Sequence, residues 1–152
     1  MSSYWLLKSE PTTYSIDHFA KDQNTQWTGV RNFQARNFLR DQLKKNDQIL
    51  FYHSSADIVG VAGIGKVIES GLADPTQFDS KSEYYDPKAT KEKPIWYAPR
   101  IEFVKKFNSV LTLEQIRGEK NLEKMLLLKR GTRLSVQPVS ESEFKHIIKM
   151  AK

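Results

Sequence analysis

Gln48-Ile49-Leu50-Phe51-Tyr52-His53-Ser54-Ser55-Ala56-Asp57-Ile58-Val59-Gly60-Val61-Ala62-Gly63-Ile64-Gly65 decides the fold of this chain. The first six residues are continuously apolar around Ile49 to Tyr52, the pattern of a strand covered on both faces. Ser54 to Asp57 reads as a four-residue hairpin loop, returning into a second strand from Ile58 to Ala62. Gly60, Gly63 and Gly65 fall inside that second strand. Their order reverses a dinucleotide fingerprint and lacks the strand-to-helix setting that a phosphate cradle requires. Glycines so placed bend a strand or let another backbone come close.

Toward the N-terminus, Tyr4-Trp5-Leu6-Leu7-Lys8 is another short buried strand, stopped at Ser9-Glu10-Pro11. Ser15 caps a helix from Ile16 to Lys21. Asn32 is an N-cap for a helix from Phe33 to Lys45, in which Ala35, Phe38, Leu39 and Leu43 form one apolar face. Toward the C-terminus, Gly71 to Pro94 is polar and aperiodic, with Phe78, Tyr84 and Tyr85, as in a functional loop or lid. Trp96 to Val104 alternates as a strand. Thr112 opens a short helix ending at Gly118, and Asn121 to Lys129 suggests another. Leu134 to Gln137 is a last strand stopped by Pro138, and Ser140 caps a final helix whose apolar face is Phe144, Ile147, Ile148 and Ala151. Strands and helices mix irregularly, which predicts one α+β domain over 1–152, a small curved β-barrel with flanking helices.

Composition limits the chemistry. The 152 residues carry a net charge of +6 and 11% aromatic residues, with no cysteine and three scattered histidines. Thiolate chemistry and cysteine-ligated metals are excluded, and no metal site or cofactor is expected. No apolar run reaches the about 18 residues of a membrane span, and the start Met1-Ser2-Ser3 has no basic targeting region. The expectation is a soluble protein without a membrane partner, cytoplasmic in a bacterium or nuclear in a eukaryote. G-x-S-x-G, Walker, H-E-x-x-H and zinc-deaminase patterns are all missing. Glu10, or His53, remains as a lone proton-transfer group for an enzymatic alternative.

Binding has more to work with. Trp27-Thr28-Gly29-Val30-Arg31-Asn32 brings a ring, a flexible glycine and a helix start together within six residues. Residues 31–45 hold five basic side chains, Arg31, Arg36, Arg40, Lys44 and Lys45, against one acidic, Asp41. Ring stacking, edge hydrogen bonds and external cations are what an extruded nucleobase needs. Trp27 is either such a wall or a core ring, and these features alone leave both open. Trp5 and Trp96, inside strands, read as core. The basic stripe also suits an acidic protein partner.

Tyr4 to Pro11, Trp27 to Leu39, Phe51-Tyr52-His53-Ser54, Ile58 to Ala62 and Arg133-Leu134-Ser135-Val136-Gln137-Pro138 together resemble the EVE domain, in order and over nearly the whole chain. The resemblance implies a PUA-like fold related to the YTH readers of methylated adenine. It also implies a non-enzymatic reader of modified bases, with modified cytosine in DNA favoured and a modified RNA base the other option. By likeness to YTH readers, Lys8 and Ser9 contact the base edge, Trp27 and Thr28 belong to the cage, and Arg133 binds the backbone. A second ring comes from the 71–94 loop, from Tyr84 or Tyr85, and Tyr85 is named for the pocket. Glu10 replaces the asparagine of the methyladenine readers, which suits a base presenting a donor such as a cytosine amine. The expected base pocket is thus Lys8, Ser9, Glu10, Trp27, Thr28, Gly29, Asn32, His53, Ser54 and Tyr85. Arg31, Arg36, Arg40, Lys44 and Arg133 are the expected phosphate contacts, and the expected partner is nucleic acid with a modified base.

Overall fold

Six strands, β1 (Tyr4–Ser9), β2 (Asn24–Gln26), β3 (Gln48–His53), β4 (Gly60–Glu69), β5 (Arg100–Thr112) and β6 (Val136–Val139), form one mixed sheet in the order β2-β5-β4-β3-β1-β6 in the computed structural model, which describes residues 3–151. Met1 and Ser2, part of the start that shows no targeting region, lie outside the described residues. The central strand β3 (Gln48–His53) runs parallel to β1 (Tyr4–Ser9) and antiparallel to β4 (Gly60–Glu69). Its alternating side chains feed two separate cores. Ile49 and Phe51 pack on one face with Trp5, Leu7, Phe19, Trp27, Ala35 and Leu39, while Leu50 and Tyr52 pack on the other with Leu6, Ile116, Phe144 and Ile147. The reading of β3 as covered on both faces therefore holds.

Helices α1 (Ile16–Asp22) and α2 (Phe33–Asn37) cover the first face, and α3 (Leu113–Arg117) and α4 (Glu141–Met150) the second. Ser15, Asn32, Thr112 and Ser140 cap all four, each side-chain oxygen accepting a backbone N–H of the first turn. Gly63 and Gly65 act as close-approach sites: a Cβ on Gly63 would collide with the Lys105 carbonyl and the Ile16 side chain, and one on Gly65 would lie 3.0 Å from the Phe19 ring.

Several boundaries differ from the sequence reading. The ladder is open among the described residues, with β2 (Asn24–Gln26) and β6 (Val136–Val139) as its edges, so a mixed sheet with flanking helices is seen in place of a closed barrel. The hairpin loop is longer than four residues, because His53 pairs with Gly60 and leaves Ile58 exposed. The 33–45 helix is α-helical only to Asn37; a π-helical turn over Phe38–Gln42 follows, and Leu43 is extended. Strand β5 (Arg100–Thr112) starts later than Trp96, since Pro99 has no N–H for a ladder, and runs further along β4 with repeated register shifts. Over 121–129 the buried positions Leu122 and Met125 and the half-buried Leu128 recur every third residue. That is a 3₁₀ period, and short 3₁₀ turns at Lys120–Leu122 and Leu126–Leu128 replace the expected helix. Pro138 does not stop β6; it pairs opposite Trp5 on an edge strand, where a missing donor is tolerated.

Candidate nucleic-acid interface

A cleft of about 480 Å³ opens where β1 and β2 leave the sheet. Its walls are Lys8, Ser9 and Glu10 from β1 and its turn, Thr13 and Tyr14 before α1, Thr25 and Gln26 from β2, the segment Trp27 to Asn32, and Tyr84 and Ser135. Trp27 belongs to both alternatives left open by the sequence. It is only 8% exposed, packs edge-on against Phe51 with centroids 5.4 Å apart, and still lines the cleft. Its amide donates to the Pro99 carbonyl at 2.7 Å, which fixes the turn after β2.

The 71–94 loop contributes Tyr84 to the cleft, and one buried carboxylate organises that loop. Asp74 has no exposed surface; its Oδ2 accepts from the Gly29 amide at 2.8 Å and Arg31 Nη1 at 3.0 Å, and its Oδ1 accepts from the Thr76 amide and hydroxyl. Burial pushes the Asp74 carboxyl up, but the Thr76, Gly29 and Arg31 donors together outweigh it and hold it below its ordinary value. Arg31 also donates to the Tyr84 carbonyl and to the Thr76 hydroxyl, so its guanidinium clamps the loop onto the Trp27 segment. Tyr84 then lies against Gly29, where φ is +91° and a Cβ would come within 2.9 Å of the Tyr84 ring. Only glycine fits both conditions. Gln77, also fully buried, ties the loop's far end by bonding the Asp74 carbonyl and both backbone polar groups of Trp96. The expected lid is thus a pinned wall.

Electrostatically the cleft is mixed. Burial pushes the Lys8 ammonium below its ordinary value, and its Nζ lies 5.8 Å from the Tyr52 ring centroid. Tyr14 is pushed up to about 12, by burial first and then by its hydrogen bond to Asp22, and remains a neutral phenol. Glu10 is exposed at the rim, and Ser9 donates from Oγ to the Tyr14 carbonyl.

Of the residues expected in the base pocket, Lys8, Ser9, Glu10, Trp27, Thr28, Gly29 and Asn32 line this cleft. His53, Ser54 and Tyr85 do not. His53 lies beneath α1, where its Nε2 accepts from the Ile16 amide at 3.1 Å, and Ser54 continues the ladder by donating to the Ser9 carbonyl. Tyr85 points away, 42% exposed, because the turn at Ser82 to Tyr85 directs its neighbour Tyr84 inward. Among the expected phosphate contacts, Arg31 is spent on Asp74, Arg36 donates to the Ile95 carbonyl, and Arg40 pairs with Asp41 at 2.7 Å. Lys44 and Arg133 are exposed and outside the cleft walls. Asn32 Oδ1 accepts from the Ala35 amide and so caps α2. Asp74, Gln77 and Tyr14 escape the sequence reading, since nothing but their polarity or ring marks them in aperiodic sequence, and Ser135 falls within a strand and the family motif without any mark of a wall.

The EVE domain family matches residues 3–150. Thymocyte nuclear protein 1 of Homo sapiens is 33% identical over 169 aligned residues, covering 99% of this chain and 74% of that protein. A hypothetical protein from Leishmania major superimposes with a TM-score of 0.94 at 46% identity, over 99% of this chain and 95% of its own. Human THYN1 protein, in a crystal structure with DNA containing 5-methylcytosine, superimposes with a TM-score of 0.91 at 33% identity, over 99% of this chain and 98% of its own. Since the family pattern runs from Ser3 to Met150 and takes in every wall of the cleft, this chain belongs to the EVE domain family.

Proposed function

We propose that this chain is a non-enzymatic nucleic-acid-binding module that takes a modified base, with modified cytosine in DNA favoured, into the cleft beside Trp27. The observation that carries the reading is the cleft itself. One concave site brings Trp27 and Tyr84 together with the edge-bonding groups of Ser9, Glu10, Thr28 and Asn32, in a fold shared with a relative crystallised on 5-methylcytosine DNA. Glu10 supplies the acceptor that an exocyclic amine requires, and Lys8 a nearby donor. The rings supply stacking, worth about 1–3 kcal/mol per base.

The test is a titration of otherwise identical oligonucleotides carrying one cytosine or one 5-methylcytosine, in DNA and in RNA. Tyr84→Ala and Trp27→Phe accompany Trp27→Ala, because the last also removes core packing. Tighter binding of the modified strand, lost in Tyr84→Ala and weakened in Trp27→Phe, supports the reading. Equal affinity of both strands, or variants that bind as the wild type does, contradicts it. Product formation from the modified strand, abolished in Glu10→Gln, would instead identify an enzyme.

A further inference from the structure

Phe33 is 59% exposed, although it is a large apolar residue at the first position of α2, directly after the cleft residue Asn32. It is not loose. Its ring lies on Trp96 with centroids 4.8 Å apart and planes 30° from parallel, and Trp96 is itself buried and anchored by its indole N–H to Asp86 at 2.8 Å. The Arg36 guanidinium is held 5.0 Å from the Phe33 centroid and fixed by its bond to the Ile95 carbonyl. Arg31, which lines the cleft, lies 5.2 Å from both the Trp96 and the Tyr84 rings. Rings and guanidinium groups therefore form one contiguous cluster from the cleft wall outward, running from Tyr84 through Arg31 and Trp96 to Phe33, with Arg36 beside the last two rings, 6.0 Å from the Trp96 centroid.

Braced from behind and flanked by a fixed cation, this ring presents an immobilised apolar surface to solvent next to the cleft. Its chemistry suits a flat, electron-rich group attached to an anion, which describes a nucleobase on its phosphate backbone. We infer that Phe33 is the stacking platform for the nucleotide adjacent to the base held in the cleft, with Arg36 beside that nucleotide's phosphate. This inference rests on the base-pocket reading and adds a second binding position to it. Strand geometry favours such a position: a base drawn out of a stack leaves its neighbour with an uncovered face, which a protein ring next to the pocket is placed to cover.

The test uses single-stranded DNA with one 5-methylcytosine, in which the base on either side is present or replaced by an abasic site. Wild type, Phe33→Ala and Phe33→Trp are titrated with each strand, and thermal melting verifies that the exposed-site variants fold. In the wild type, removing one of the two neighbouring bases is expected to weaken binding between about fivefold and about 150-fold, the range of one base–ring stack. The same removal has no further effect in Phe33→Ala, and the sensitivity returns in Phe33→Trp. Equal sensitivity in wild type and Phe33→Ala, or none in the wild type, overturns the inference. A wild type that does not prefer the methylated strand over plain cytosine overturns the pocket reading separately, whatever Phe33 does.

Discussion

Asp74 shows how one unexposed carboxylate shapes a surface that it does not itself line. Its four donors come from the Trp27 segment and from the loop that carries Tyr84, so removing its charge frees both walls at once. Asp74→Asn is expected to cost about 3 kcal/mol, because the Arg31 charge stays behind without a partner. Urea unfolding would read this as a lower midpoint at unchanged slope. The sign of the pH effect follows from the lowered carboxyl. The stabilisation is full above the ordinary aspartate value of about 3.9 and is lost as pH falls through the lower folded value. Gly29→Ala tests the same wall from the other side. Forcing a side chain at φ +91° costs about 1–3 kcal/mol and drives Tyr84 outward, so base binding should fall even where melting shows a folded protein. Trp27 and Gly29 are legible as a pair in the sequence, since a ring and a glycine in a polar stretch both ask for a reason. Asp74 and Tyr84 are not, because in an irregular loop neighbouring residues carry no periodic signal of which side faces inward, and Tyr85 is as good a ring as Tyr84 until the turn at Ser82 is known.

Among the elements, α1 depends on an unusual support. The His53 ring, buried beneath it, accepts from the amide that opens the helix, and burial pushes its imidazole below the ordinary value, with Asp17 opposing and Lys106 adding to the shift. The unfolded chain therefore takes up this proton first. The contribution is full above about pH 6.5 and declines as pH falls from there through the folded value. Thermal midpoints at about pH 7.5 and about pH 5.5 should differ by less in His53→Gln than in the wild type. Strands β1 and β3 and helices α1 and α4 are readable because apolar spacing and capping residues agree there. The misread elements share a cause: at Phe38–Gln42, Lys120–Leu122 and Leu126–Leu128 the chain is fitted to its neighbours by π and 3₁₀ turns, and local propensity does not separate these from an α-helix. Likewise β2 is three polar residues whose pairing with β5 is a tertiary fact.

At the scale of the molecule, the sheet divides two cores and leaves the cleft at the strand ends, so the walls belong to four separate stretches held in place by packing far from the site. The basic side chains of residues 31–45 are not equally open to a phosphate, since Arg31 pairs with the buried Asp74 and Arg40 with Asp41, while Arg36 keeps its charge against the neutral Ile95 carbonyl. Affinity should still fall as salt rises, and Arg133→Gln, at an exposed position, should flatten the log–log salt slope by about 0.7–0.9 for each phosphate left unneutralised. Arg31→Gln should instead lower stability and leave the salt slope unchanged. The central claim, that the modified base enters the cleft beside Trp27, is tested most directly by nuclear magnetic resonance titration of the labelled protein with a 5-methylcytosine oligonucleotide and its unmodified twin. Methyl-dependent shifts concentrated on the Trp27 indole N–H and the amides of Ser9, Thr28 and Tyr84 are the predicted result. Methyl-dependent shifts on α4 or along β5, with the Trp27 indole unmoved, would contradict it.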